Sequence, residues 1–282
     1  MRILRLIFLC LPVICSSLWL TFAYADDDTL SPDEQLRLFY GKDDRIKIKD
    51  VGDWPWQAIG QIETESGNLC TATLIAPHLV LTAGHCVLAP PGKLDRPVAL
   101  RFVSRNHKWR YEITQLKALV DMRLGKRLKP DGEGWVVPPS AATQDYALIR
   151  IDSDDLPPLR PIPLWKGDVS QLNEALKATG RHVTQAGYPQ DFLDDLYSHE
   201  NCLITGWAQK GVFNHQCDTL PGDSGSPLLL KDASGLWSLV AIQSSAPAPE
   251  NRYRADNRAV SATAFNDELK ALLQQPVDSG EK

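Results

Sequence analysis

The sequence predicts an all-β protein, a sandwich or barrel built in two halves, and three observations predict it. Short apolar runs recur along the chain from Trp56 to Ala264. Breakers separate them: Pro90-Pro91-Gly92, Pro138-Pro139, Pro157-Pro158 and Pro247-Ala248-Pro249. Only Asn266 to Gln275 carries helical spacing, with Phe265, Leu269, Leu272 and Leu273 on one face. Many short strand-like runs with regular turn signals and almost no 3.6-residue periodicity are what an all-β fold requires.

The chain begins with an address. Arg2 and Arg5 precede the largely apolar stretch Leu6 to Leu20, and Ala23-Tyr24-Ala25 has the small-x-small form of a cleavage site. Residues 1–25 therefore read as a signal peptide. The acidic run Asp26-Asp27-Asp28 that follows argues against a membrane anchor, and no later stretch approaches the ~20 apolar residues of a spanning helix. The full chain carries a formal charge of -5; without the leader it is -7, from 28 Lys+Arg against 35 Asp+Glu. No basic footprint is present, which excludes nucleic acid as an expected partner.

Residues 26–45 are polar and acidic, with Ser31-Pro32-Asp33-Glu34 resembling a helix start, and are expected to be a pro-segment or N-terminal arm. Strands follow at Trp56–Ile62, Leu69–Ile75, Leu79–Thr82, Val98–Val103, Arg110–Thr114 and Tyr146–Ile151. The second half repeats the pattern at His182–Gly187, Ser198–Thr205, Leu228–Leu230, Trp237–Ile242 and Ala259–Ala264. The proline-rich stretch Leu156 to Pro163 is the natural bridge. The expected organisation is a first unit over 46–155, a second over 156–275 with its C-terminal helix, and a tail at 276–282.

Cys10 and Cys15 leave with the leader; Cys70, Cys86, Cys202 and Cys217 remain. Four cysteines in an exported chain read as two disulfides with three possible pairings. Pairing sequence neighbours gives Cys70–Cys86 and Cys202–Cys217. Each closes a loop of roughly 16 residues, worth ~3 kcal/mol in the chain-entropy description. No C-x-x-C spacing favours zinc, no stretch resembles a calcium loop, and neither metal nor cofactor is expected.

Three motifs carry chemistry. In Gly222-Asp223-Ser224-Gly225 the glycines allow a sharp turn that exposes a serine hydroxyl and backbone N–H groups. Four such residues alone fit a turn before a strand equally well. Thr82-Ala83-Gly84-His85-Cys86 holds a histidine after a strand and beside a half-cystine, a rigid setting for a general base. His78, His107, His182, His199 and His215 lack such a setting and read as structural. Asp145-Tyr146-Ala147-Leu148 puts an acid at the start of an apolar run, where it can be buried and hold an imidazole; Asp152 and Asp154 read as turn residues.

The motifs T-A-G-H-C, D-Y-A-L and G-D-S-G-S-P, in that order, resemble the chymotrypsin/trypsin family of serine endopeptidases. The flanking Asp43-Asp44-Arg45, Ala186-Gly187-Tyr188-Pro189, Cys217-Asp218-Thr219 and Ser226-Pro227 resemble its bacterial glutamyl-endopeptidase branch, and the likeness runs from about residue 43 to 265. The resemblance implies two six-stranded antiparallel β-barrels with the site in the cleft between them. It implies Ser224 as nucleophile, His85 as general base and Asp145 as its orienting acid, with the N–H groups of Gly222 and Ser224 as oxyanion hole. It implies a protein or peptide substrate handled by a monomer, periplasmic or secreted.

Specificity residues are expected at Asp218, Thr219 and Gln243. Asp218, six residues before Ser224, lies where trypsin-like enzymes carry the acid that selects Lys or Arg. Gln243 stands where the glutamyl branch has a histidine, which removes a cationic partner for a substrate carboxylate; the expectation is then either a mild preference for basic residues through Asp218 or an Asp218 that points away and only packs or caps. Asp223 requires a partner if buried. Either an amino terminus released at Arg45–Ile46 or Arg45 itself could supply it, although Ile46-Lys47-Ile48-Lys49 lacks the usual glycine pair. The alternative to an enzyme is an inactive homologue that uses the same scaffold to bind.

Overall fold

The structure is a computed structural model that describes residues 39–131, 134–248, 251, 254–265 and 269. The expected leader, all but the last seven residues of the arm, most of the C-terminal helix and the tail lie outside the described residues.

The chain runs through β1 (Ile46–Lys47), β2 (Ile59–Thr64), β3 (Leu69–Ala76), β4 (Leu79–Thr82), β5 (Leu88–Ala89) and β6 (Lys93–Leu94). It continues through β7 (Pro97–Arg105), β8 (Lys108–Ile113), β9 (Leu116–Val120), β10 (Lys129–Asp131), β11 (Gly134–Val136) and β12 (Ala147–Ile151). The second half supplies β13 (His182–Gly187), β14 (Tyr197–Gln209), β15 (Val212–His215), β16 (Pro227–Lys231), β17 (Trp237–Ser245) and β18 (Asn257–Ser261). Every pairing between these strands is antiparallel.

The two halves differ in closure. In the second, β14 pairs with both β13 and β15, so the order β14-β13-β16-β17-β18-β15 returns on itself as a closed six-stranded barrel. In the first, seven strands in the order β8-β7-β2-β3-β4-β12-β9 form a curled sheet whose ends do not pair with each other. This is the chymotrypsin-like fold, but where two six-stranded barrels were expected only the second unit closes into one; the first is an open, curled seven-stranded sheet. Ile46–Lys47, grouped with the first half in the sequence, adds to the second sheet instead, with Ile46 opposite Ser198 and Lys47 opposite Tyr197.

Period-2 alternation gives strand β16 two faces. Leu228 and Leu230 point into the core of the second barrel with Val183, Ile204, Phe213 and Val240. Leu229 points the other way, into a larger core that joins both halves through Ile59, Leu81, Leu148, Tyr188 and Phe265. Residues 262–265 are helical, and Phe265 and Leu269 are buried in that shared core, as their spacing requires.

One helix lies where the sequence reading assigned no element. Val169–Ala178 starts at Asp168, whose carboxylate accepts Gln171 N at 2.9 Å while Gln171 Oε1 accepts Asp168 N at 2.9 Å. This reciprocal box satisfies two otherwise unpaired backbone donors. Leu172 and Leu176, four apart on one face, anchor the helix against the barrel core. Both neighbour-paired disulfides are present, Cys70–Cys86 in the first half and Cys202–Cys217 in the second. Among the described residues no helix is long and apolar enough to cross a membrane.

Candidate active site

Three loops meet where the halves face each other. The first leaves β4 and winds into a 3-10 turn over Gly84–Val87, which carries His85. The second ends in the short turn Ala142–Gln144 and delivers Asp145 just ahead of β12. The two strands that position them, β4 and β12, are directly paired, Thr82 opposite Ala147. The wide spacing of 60 residues between His85 and Asp145 is taken up by β5 to β11 and does not disturb this register.

Asp145 is fully buried and holds His85 from two sides. His85 Nδ1 lies 2.9 Å from Asp145 Oδ2 and 3.1 Å from Oδ1, and the His85 backbone N–H donates to Oδ1 at 2.8 Å. Ser244, on β17, donates its hydroxyl to Oδ2 at 2.6 Å. Burial alone would raise the Asp145 pKa, but the His85 charge and these hydrogen bonds hold the carboxyl below its ordinary 3.8. Burial likewise opposes a charged His85, yet the Asp145 carboxylate lifts the imidazole above its ordinary 6.5.

The third loop is Pro221 to Ser226. Gly222 and Gly225 both have positive φ, +95° and +83°, and a Cβ on Gly222 would meet Tyr188 O at 2.5 Å. The loop is tied to the first half by Thr71, which donates its hydroxyl to Gly222 O at 2.9 Å and its N–H to Ser224 O at 2.9 Å. Thr71 Oγ1 also accepts Tyr188 N at 2.9 Å. Ser224 O lies 3.8 Å from Cys86 Sγ, and His85 Nε2 lies 4.0 Å from the same sulfur, so serine and histidine flank one half-cystine. Among the described residues no hydrogen bond joins the Ser224 hydroxyl to His85 Nε2; such bonds tighten when substrate binds.

The Asp223 and Gly225 N–H groups are spent on Leu220 O, just before the loop, and on Gln243 O of β17. Those of Gly222 and Ser224 donate to no protein acceptor among the described residues. Pro221 O is held by Gln190 N at 2.8 Å, and in a trans peptide this turns the Gly222 N–H to the opposite side. Two uncommitted donors, one on the serine itself and one two residues before it, are what a developing oxyanion needs.

The expected specificity residues are present but buried. Asp218 accepts Asp44 N on Oδ2 at 2.8 Å, while its Oδ1 is buried with no hydrogen-bond partner among the described residues. Thr219 faces inward, accepting Gln185 Nε2 at 3.3 Å and donating to Asp223 Oδ2 at 3.4 Å. Gln243 Oε1 takes His215 Nε2 at 2.7 Å; because His215 Nδ1 accepts Cys217 N, Nε2 carries the proton. Asp223 does not pair with Arg45. Leu220 N donates to it at 2.9 Å, the Ser226 hydroxyl lies 3.5 Å away, and burial pushes its pKa up to about 7.

Two groups of side chains approach metal-ligand spacing among the described residues. In Cys70–His85–Cys86 both sulfurs are spent in the disulfide. In Asp44–His199–Asp218, His199 Nδ1 already takes Asp218 N and Asp218 Oδ2 already takes Asp44 N.

The family model described as Trypsin matches residues 48–266. The chain belongs to the trypsin family. The mouse Transmembrane protease serine 11C is 22% identical over 218 residues, which is 69% of this chain and 45% of that protein, so the chain spans under half the length of this relative. A solved structure of Glu endopeptidase in complex with MPD has a TM-score of 0.60 and 22% identity, over 83% of this chain and 99% of that one. This likeness bears on the fold.

Sequence reasoning missed Ser244, Thr71 and Arg45's partner Asp191. Ser244 and Thr71 sit in ordinary strand sequence with no motif around them, and Asp191 is 146 positions from Arg45.

Proposed function

We propose that this chain is an exported serine endopeptidase that hydrolyses peptide bonds through Ser224, His85 and Asp145. The observation that carries the reading is the buried Asp145–His85 pair beside Ser224, whose own N–H and that of Gly222 donate to no acceptor among the described residues. Ser224 Oγ attacks the scissile carbonyl and His85 Nε2 takes the hydroxyl proton. Asp145 holds Nδ1–H and stabilises the imidazolium. The N–H groups of Gly222 and Ser224 receive the oxyanion. Collapse expels the amine, which takes the proton from His85, and water then hydrolyses the acyl-enzyme by the same route.

Family membership supports a peptide substrate, and the two disulfides support export to an oxidising compartment. The buried, unpartnered Asp218 Oδ1 supports a preference for Lys or Arg before the cleaved bond, because a buried carboxylate oxygen gains most from a cationic donor. The chain is proposed to act as a monomer without metal or cofactor.

The test is the intact mass of the exported protein with and without a fluorophosphonate probe. A single adduct that is absent in Ser224→Ala is expected. A peptide library should be cut after Lys or Arg; cutting only after Glu would sink the basic preference. The absence of a Ser224–His85 hydrogen bond favours one other reading, an inactive binding homologue, and a folded protein that takes no adduct would support it.

A further inference from the structure

The arm that ends at Arg45 is built into the site. The Arg45 side chain is only 4% exposed. Its guanidinium makes a two-pronged contact with Asp191, Nη1 to Oδ1 at 3.0 Å and Nη2 to Oδ2 at 2.7 Å. Asp43 takes Nε and Nη2, each at 2.9 Å, and the Phe39 ring covers one face at 4.4 Å. Such planar, bidentate recognition is stronger and more directional than a point-charge contact.

Asp191 lies in the turn Gln190–Phe192. The first residue of that turn donates its N–H to Pro221 O at 2.8 Å, and this bond orients the Pro221–Gly222 peptide. Beyond Arg45 the chain does not protrude as a loop. Ile46 and Lys47 pair with β14, and Ile48 N donates to Leu196 O at 2.9 Å. Asp223 meanwhile is satisfied by the loop's own donors, and among the described residues no cation stands within ion-pair distance of it.

We propose that Arg45 is a positioning residue for the oxyanion hole, and that the hole is formed while Arg45 is still joined to Ile46. Arg45 fixes Asp191, the 190–192 turn fixes Pro221 O, and the Gly222 N–H is thereby held toward the reacting carbonyl. This rests on the serine-peptidase reading above.

The test uses the exported full chain as wild type, Arg45→Met, Asp191→Asn and the double variant. Intact mass, kcat and KM on a peptide amide, and affinity for a peptide aldehyde are measured; the aldehyde adduct places an oxyanion in the hole. Wild type that retains residues 39–45 is expected to label and turn over. Removing one oxyanion donor costs about 10²–10³-fold, so Arg45→Met should lower kcat by about 10²-fold. KM should change far less than kcat, because the oxyanion hole acts on the transition state while Arg45 touches Asp218 only through its neighbour Asp44. Aldehyde affinity should fall in step with kcat, which a general loss of stability would not produce. Asp191→Asn should match Arg45→Met, and the double variant should be no worse than either, because both act through one contact. If Arg45→Met fails to fold, Asp191→Asn alone carries the comparison. Wild-type kcat in a folded Arg45→Met or Asp191→Asn, additive losses in the double, or labelling confined to chains that begin at Ile46 would overturn the proposal and leave the peptidase reading standing. Wild type that takes no adduct at any mass overturns that reading and this proposal together.

Discussion

Asp223 is a carboxyl group 3% exposed, held by one backbone N–H and the hydroxyls of Thr219 and Ser226, with a pKa near 7. Its desolvation is the largest influence, and the Leu220 N–H and the more distant Arg45 charge offset it only in part. In the unfolded chain the group titrates at its ordinary 3.8. Between these two values the folded protein binds a proton that the unfolded chain has lost, so stability falls as pH rises, and it levels off above about 7. A gap of about three pH units at about 1.4 kcal/mol each makes this loss about 4 kcal/mol. Asp223→Asn keeps an oxygen for Leu220 N and removes the titration. The variant is therefore expected to match wild type near pH 4 and to exceed it by up to about 4 kcal/mol at pH 8. Denaturant unfolding of both proteins at pH 4, 5, 6, 7 and 8 reads the difference directly. A variant less stable than wild type at pH 8 would refute the reasoning, because it would mean that a cation pairs with Asp223 and that its removal strands that charge.

Three further outcomes follow from the site. In the proposed mechanism His85 must be neutral to accept a proton, and Asp145 raises its pKa, so the acid limb of kcat/KM should lie above pH 6.5; Asp145→Asn should move that limb to lower pH and cut kcat by about 10⁴-fold, the usual cost of replacing the orienting aspartate of such a triad. Ser244→Ala removes a 2.6 Å hydrogen bond to the same carboxylate; a bond to a charged group is worth about 1.5–3 kcal/mol, so kcat should fall by about 10-fold or more with KM held, measured on a peptide amide. Gly222→Ala sets a Cβ 2.5 Å from Tyr188 O at a φ of +95°; the loop must shift, and kcat should fall by at least about 10²-fold in a protein that circular dichroism finds folded.

Much of the fold was legible because β-strands buried on two faces write themselves as apolar runs. Pro227-Leu228-Leu229-Leu230 faces one core with two leucines and another with the third, and needs no long-range information to be read. Shorter or half-exposed strands lack that contrast. Leu116–Val120 and Val212–His215 carry no clear strand pattern, because exposed Lys117 interrupts the first and Asn214 the second. The helix Val169–Ala178 was readable: Asp168-x-x-Gln171 is a capping box, and Leu172 and Leu176 share a face. The candidate site was legible at its motifs and silent at its supports. Ser244, Thr71 and Asp191 act across the fold, and sequence spacing holds no record of such contacts. Closure was equally hidden, since whether β14 also meets β15 depends on its 13-residue length and bulges.

Thr71 has a consequence for how the molecule could be taken apart. It lies on β3, in the first half, yet it holds Gly222, Ser224 and Tyr188 of the second with three hydrogen bonds. His85 and Asp145 belong to the first half and Ser224 to the second, so neither half owns the whole of the proposed triad. Cutting the chain in the proline-rich bridge between Leu156 and Pro163 divides the proposed triad without severing any strand of either sheet. Two such fragments would be silent apart. Any hydrolysis on mixing would count reassembled molecules, turning the interface around Thr71 into a readout of its own formation.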